Sequence, residues 1–90
     1  MQFVWIGFLK AGAIADQAVL EQMTGFLEQP YVSIQSAGPL RDEAGRRAGM
    51  MMIFDVEDRA GAEALVKTSP FLEAGLYEQH HLFEYVAEVG

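Results

Sequence analysis

Thr68-Ser69-Pro70-Phe71-Leu72-Glu73-Ala74-Gly75-Leu76-Tyr77-Glu78 joins the end of one helix, the start of a second and the opening of a strand. Pro70 disfavours helical backbone at the residue before it, so the preceding helix must finish near Thr68. Ser69 is a candidate N-cap whose hydroxyl can accept from an orphan N–H. Pro70 suits the first helical position, where its missing N–H has no partner to lose. Gly75 can take the left-handed conformation that ends a helix. The stretch predicts one short helical turn, with a strand from Leu76 onward.

Upstream, Asp58 is a candidate cap for the helix that ends near Thr68. Ala62, Leu65 and Val66 form its apolar side and Arg59, Glu63 and Lys67 its wet side, with Glu63 and Lys67 spaced for an i,i+4 ion pair. Met50 to Val56 reads as a strand before it. The charged run from Leu40 to Arg47, containing Gly45, reads as a hairpin connection, and Gly38-Pro39 as a turn. Tyr31 to Ala37 alternates Val32, Ile34 and Ser36 against Tyr31, Ser33 and Gln35, as in an edge strand.

Residues 16–29 carry a helical stripe of Val19, Leu20, Met23, Phe26 and Leu27, with Asp16 as cap and Pro30 as terminator. Residues 2–9 read as the first strand, with Phe3, Trp5 and Leu9 on one face and Val4, Ile6 and Phe8 on the other. In the last strand, Leu76 to about Ala87, alternation places Tyr77, Gln79, His81, Phe83 and Tyr85 opposite Leu76, Glu78, His80, Leu82, Glu84 and Val86. The element order is β-α-β-β-α-β, an α+β ferredoxin-like chain with a four-stranded antiparallel sheet. Two helices can cover only one face of that sheet, and the strands are apolar on both. A homodimer packed through the open sheet face is therefore expected.

Composition narrows the function classes. Ninety residues make one domain, read here as 1–90, and a hydrophobic content of 51% with 21% charged residues is too apolar for disorder. No stretch approaches the roughly 20 apolar residues that span a bilayer. The N-terminus lacks the basic region of a secretory signal, and the absence of cysteine fits a reducing compartment, so a cytoplasmic location is expected, with no membrane partner. The net charge of −7 repels phosphate backbones. Arg41, Arg46 and Arg47 are interrupted by Asp42 and Glu43, so no nucleic-acid partner is expected, although the cluster can offer a local anion contact.

The residues that could carry chemistry are few. His80 and His81 point to opposite faces of a strand and cannot easily share one metal; His81, beside Tyr77 and Phe83, is a candidate general base. Met50-Met51-Met52 diverge in the same way and read as core filling. Glu78 and Glu84 lie about 20 Å apart along a strand, too far for paired-carboxylate chemistry. Ser69 has no nucleophile-elbow context, and no glycine-rich phosphate loop is present. No metal or cofactor is expected.

Ala37-Gly38-Pro39 together with Pro70-Phe71-x-x-Ala74-Gly75-Leu76-Tyr77-Glu78 resembles the signature of YciI-like (YCII-related) proteins, in which an aspartate often precedes the Pro-Phe step. The resemblance implies a dimeric α/β barrel, similar in fold to muconolactone isomerase. It also implies a His–Asp acid/base pair, with the histidine opening a His-Leu step in the first helix. Here that step corresponds to Val19-Leu20, or by a gap-free count from Gly38 to Glu21, and Ser69 stands where the aspartate is common. The family's proposed catalytic histidine is thus missing. Two readings follow: a noncatalytic homodimer that binds a small metabolite or serves as an accessory subunit, or a cofactor-independent lyase or isomerase using Glu21 or His81 as a relocated base. The candidate ligand-binding residues are Glu21, Gly38, Pro39, Ser69, Tyr77 and His81.

Overall fold

Alternating large apolar residues make Gln2–Leu9 a central strand, β1, and Phe3 and Trp5 on one face anchor the core. The computed structural model describes residues 1–14, 17–28 and 33–89, and of Phe71 and Glu73 the backbone alone. Within these, α1 (Gln17–Leu27), β2 (Ser33–Arg41), β3 (Arg47–Asp55), α2 (Arg59–Lys67), α3 (Pro70–Glu73) and β4 (Tyr77–Tyr85) follow in order. The sheet runs β2-β3-β1-β4 with every neighbouring pair antiparallel, the expected ferredoxin-like topology with α3 added before the last strand. The expected cap Asp16, the terminator Pro30 and the strand residues Tyr31 and Val32 lie outside the described residues.

The helices bury one face of the sheet. Phe3, Trp5, Met52 and Phe54 are almost fully buried beneath Met23 and Phe26 of α1 and Ala62 and Val66 of α2. Each of the large sheet side chains contributes about 1.5–3 kcal/mol by leaving water. Met50 and Met52 join this layer while Met51 points away, as period-two geometry requires. On the other face Val4, Ile6, Met51 and Ile53 are only half-buried, and Phe8, Phe83 and Tyr85 are exposed.

Asp58 caps α2 as expected, its Oδ1 accepting from the Gly61 N–H at 2.8 Å. α2 ends at Lys67, and Gly75 (φ 65°) closes the turn of α3. Four expectations are corrected. Ser69 occupies the N-cap position of α3, but its hydroxyl caps nothing and instead donates to the Val66 carbonyl oxygen at 2.7 Å. That carbonyl sits in the last turn of α2, where acceptors lack intrahelical partners, so it competes for the hydroxyl. Glu63 pairs with Arg59 at 3.3 Å, one turn back, rather than with Lys67.

Gly38-Pro39 forms no turn; both residues continue β2, paired with Met51 and Met50. An edge strand tolerates proline because its outward N–H groups have no ladder partner. The true hairpin is residues 42–46, where Asp42 Oδ1 accepts from the N–H groups of Ala44 and Arg46. Last, simple alternation fails where a strand carries an extra residue. Gln35 in β2, Ala48 in β3 and Glu78 in β4 are each such insertions, so Ile34 and Ser36 end on opposite faces and Tyr77 leaves the face of His81 and Phe83.

Candidate functional site

Two of those insertions lie at the same end of the sheet and face the same space. Phe8 pairs with Gln79 but Leu9 pairs with Tyr77, so the extra residue Glu78 turns Tyr77 toward the helix layer. Leu40 pairs with Gly49 but Arg41 with Arg47, so the extra residue Ala48 does the same for Arg47. Both side chains line a cavity of about 240 Å³ between this end of the sheet and α1. Leu9, Leu20, Met23 and Leu76 supply its apolar walls, and Ala13 and Ile14 form the lip.

Tyr77 is fixed by its ring, which meets Trp5 edge to face with centroids 5.2 Å apart. Burial of Tyr77 raises its pKa above the ordinary 10.0, while the nearby Arg47 guanidinium pulls in the opposite direction. At neutral pH the pocket therefore presents a neutral phenol, able to donate or accept, and a permanent cation on otherwise apolar walls. This chemistry suits a small, largely apolar molecule that carries one negative charge or a polarised oxygen.

The structure places the sequence-derived candidates at five separate locations. Tyr77 alone lines the pocket. Glu21 projects from the outer surface of α1, where its Oε1 accepts from Gln17 Nε2 at 3.3 Å and it borders a shallow depression with Thr24 and Glu28. Gly38 and Pro39 lie in edge strand β2, and Ser69 is buried at the α2–α3 junction. His81 is exposed on the open sheet face, stacked on Phe83 at 5.9 Å. His80, on the opposite face, lies 6.2 Å from Trp5. Among the described residues no three His, Asp or Glu side chains converge where they could hold a metal ion.

Sequence reasoning anticipated an anion contact in the Arg41–Arg47 region without selecting Arg47. One signal could have done so: an isolated glycine in a strand often marks a bulge, and Gly49 stands beside the Ala48 insertion. No comparable signal precedes the insertion at Glu78.

The fold resembles 5-chloro-2-hydroxyhydroquinone dehydrochlorinase (TftG) from Burkholderia phenoliruptrix AC1100, solved in complex with 2,5-dihydroxybenzoquinone. The TM-score is 0.73 at 18% identity, over 96% of this chain and 94% of that one. It also resembles a provisionally assigned antibiotic biosynthesis monooxygenase from Chloroflexus aurantiacus J-10-fl, with a TM-score of 0.54 at 13% identity, over 100% of this chain and 98% of that one. These likenesses concern the fold. No curated protein matches the sequence. The profile of the YCII-related domain matches residues 1–86, and the chain belongs to that family.

Proposed function

We propose that this chain is a cytoplasmic, noncatalytic homodimer that binds a small, planar, singly anionic metabolite in the Arg47–Tyr77 pocket. The observation that carries the reading is the pair of insertions, Ala48 and Glu78, which turn one cation and one phenol into the same apolar cavity. Bulges that re-aim side chains are over-represented beside functional sites. TftG was solved with a compact, oxygen-rich ring, and a ligand of that shape matches the chemistry of this lining. Glu21 and His81, the relocated bases of the enzyme alternative, both lie outside the cavity, which supports binding over catalysis.

Of the remaining candidates, Tyr77 contacts the ligand directly, Ser69 sets the junction that leads into Leu76 and Tyr77, and Gly38 and Pro39 shape the sheet edge. No cofactor or nucleic acid takes part. No helix among the described residues is long and apolar enough to cross a membrane. The dimer forms through the open sheet face, where Phe8 and Phe83 are 41% and 56% exposed and would be covered by a second copy. His81, stacked on Phe83, lies in that seam.

Titration of the full chain with benzoate and with 4-hydroxybenzoate, both planar monoanions at neutral pH, followed by amide shifts in NMR spectra, tests the pocket. Saturable shifts at Leu9, Leu20 and Tyr77 are expected, weakened about tenfold or more by Arg47→Ala. Failure of both probes to shift those residues overturns the reading. Light scattering should give twice the 10.0 kDa chain mass, and a monomer overturns the dimer.

A further inference from the structure

A second cavity, of about 330 Å³, lies on the far side of Trp5 between α2 and the edge strand β4. One wall is the row Arg59, Glu63 and Lys67, spaced one helical turn apart. The facing wall is His80 and Leu82 of β4, and Val66 and Leu72 complete an aliphatic floor. Trp5 lies between the two cavities, touching Tyr77 on one side and His80 on the other. The family's signature residues leave this second cavity unassigned.

Its charges are not equivalent. Arg59 is committed: its Nε contacts Glu63 at 3.3 Å, its Nη2 donates to the Leu82 carbonyl oxygen at 3.2 Å, and its guanidinium lies 6.0 Å from the centroid of the Phe3 ring. Glu63 is thereby paired with Arg59 but keeps its negative charge in the cleft. Lys67, two turns and about 12 Å further along α2, has no carboxylate within ion-pair reach among the described residues. In a chain of net charge −7, the cleft therefore holds, among the described residues, one cation without an ion-pair partner at one end of an aliphatic trough, with an imidazole on the opposite wall.

We infer that this cleft is a second ligand site, for a short aliphatic monocarboxylate. Its carboxylate pairs with Lys67 and accepts from a ring N–H of His80, and its chain lies along Val66, Leu72 and Leu82. A single charge follows from the one cation left without an ion-pair partner among the described residues, since a dianion would leave its second charge facing the charged Glu63 carboxylate. An aliphatic body follows from a floor of branched aliphatic side chains. The site is independent of the Arg47–Tyr77 pocket and of its proposed ligand.

Hexanoate is the probe, and hexanol is its uncharged control. The chain has a single tryptophan, Trp5, next to His80, so its emission reports occupancy, while amide shifts locate the probe. Hexanoate should give a saturable emission change with shifts at Lys67, Leu72, His80 and Leu82, and hexanol should bind about tenfold more weakly or worse. Lys67→Glu, at an exposed position, should weaken hexanoate about tenfold or more, and Lys67→Arg should restore it to within about threefold. The inference is overturned by shifts confined to Leu9, Leu20 and Tyr77, by an equal response to hexanol, by unchanged binding to folded Lys67→Glu, or by no saturable response.

Discussion

Trp5 and Tyr77 meet edge to face, with ring centroids 5.2 Å apart and planes at 86°. The contact joins the centre of the core to the wall of the Arg47–Tyr77 pocket, so the position of the phenol depends on the packing of the sheet. Beyond the area they bury, such pairs contribute about 0.5–1.5 kcal/mol.

Tyr77 has separable roles in packing and in binding. Tyr77→Phe keeps the ring contact and should change unfolding free energy by less than about 0.5 kcal/mol, while weakening benzoate binding about three- to tenfold through loss of one hydrogen bond. Tyr77→Ala removes the ring and should cost about 2 kcal/mol or more in urea denaturation. Equal stability of the two variants would show that the ring contact contributes little.

Stability should fall at high pH in a way that depends on Tyr77. Burial raises its pKa above 10.0 in the folded chain, with Arg47 opposing. The folded chain therefore holds the phenolic proton more tightly than the unfolded chain does. The contribution is fully present below pH 10.0 and is lost as pH rises from there through the folded value. Urea denaturation from about pH 8 to 11 should show wild type losing more stability than Tyr77→Phe across that window. Parallel curves would remove Tyr77 as the source.

Gly7 makes the aromatic contact sterically feasible. A Cβ at this position would lie 2.6 Å from the Trp5 ring and 2.9 Å from the Tyr77 ring, closer than carbon atoms approach. Gly7→Ala should cost about 1–3 kcal/mol as both rings shift, lowering Tm by about 10 °C and weakening benzoate binding together. A variant with unchanged Tm and unchanged near-ultraviolet circular dichroism would contradict this packing.

Ser69 is only 1% exposed and donates to Val66 at the α2–α3 junction. Ser69→Ala should cost about 1 kcal/mol, and Ser69→Val more, because the added methyl groups enter a filled site. Both are read by thermal denaturation. Ser69→Ala at wild-type stability would mean that the hydrogen bond has no net value.

Much of the fold was legible in the chain because its signals are local. The Asp58 cap, the Pro70 start and the Gly75 stop each act within a few residues, and all three stand where the sequence places them, although Ser69 bonds backward to Val66. The apolar stripes of β1, β3 and α1 led to the buried layer of Phe3, Trp5, Met52, Phe54, Met23 and Phe26. Gly38-Pro39 misled because proline and glycine punctuate turns in general yet are tolerated in an edge strand, and edge status depends on which strands flank β2.

The candidate site was far less legible. Tyr77 was singled out, but on the face of His81, since strict alternation cannot register the extra residue Glu78. The sequence by itself determined the elements, their order, the amphipathic faces and the net charge, because backbone preference and hydrophobic period reside in neighbouring residues. Only the tertiary structure decided that Arg47 and Tyr77 share one cavity while Lys67 and His80 share another. Each of those meetings depends on strand register and helix placement, and a one-residue insertion moves a side chain from one face of the sheet to the other.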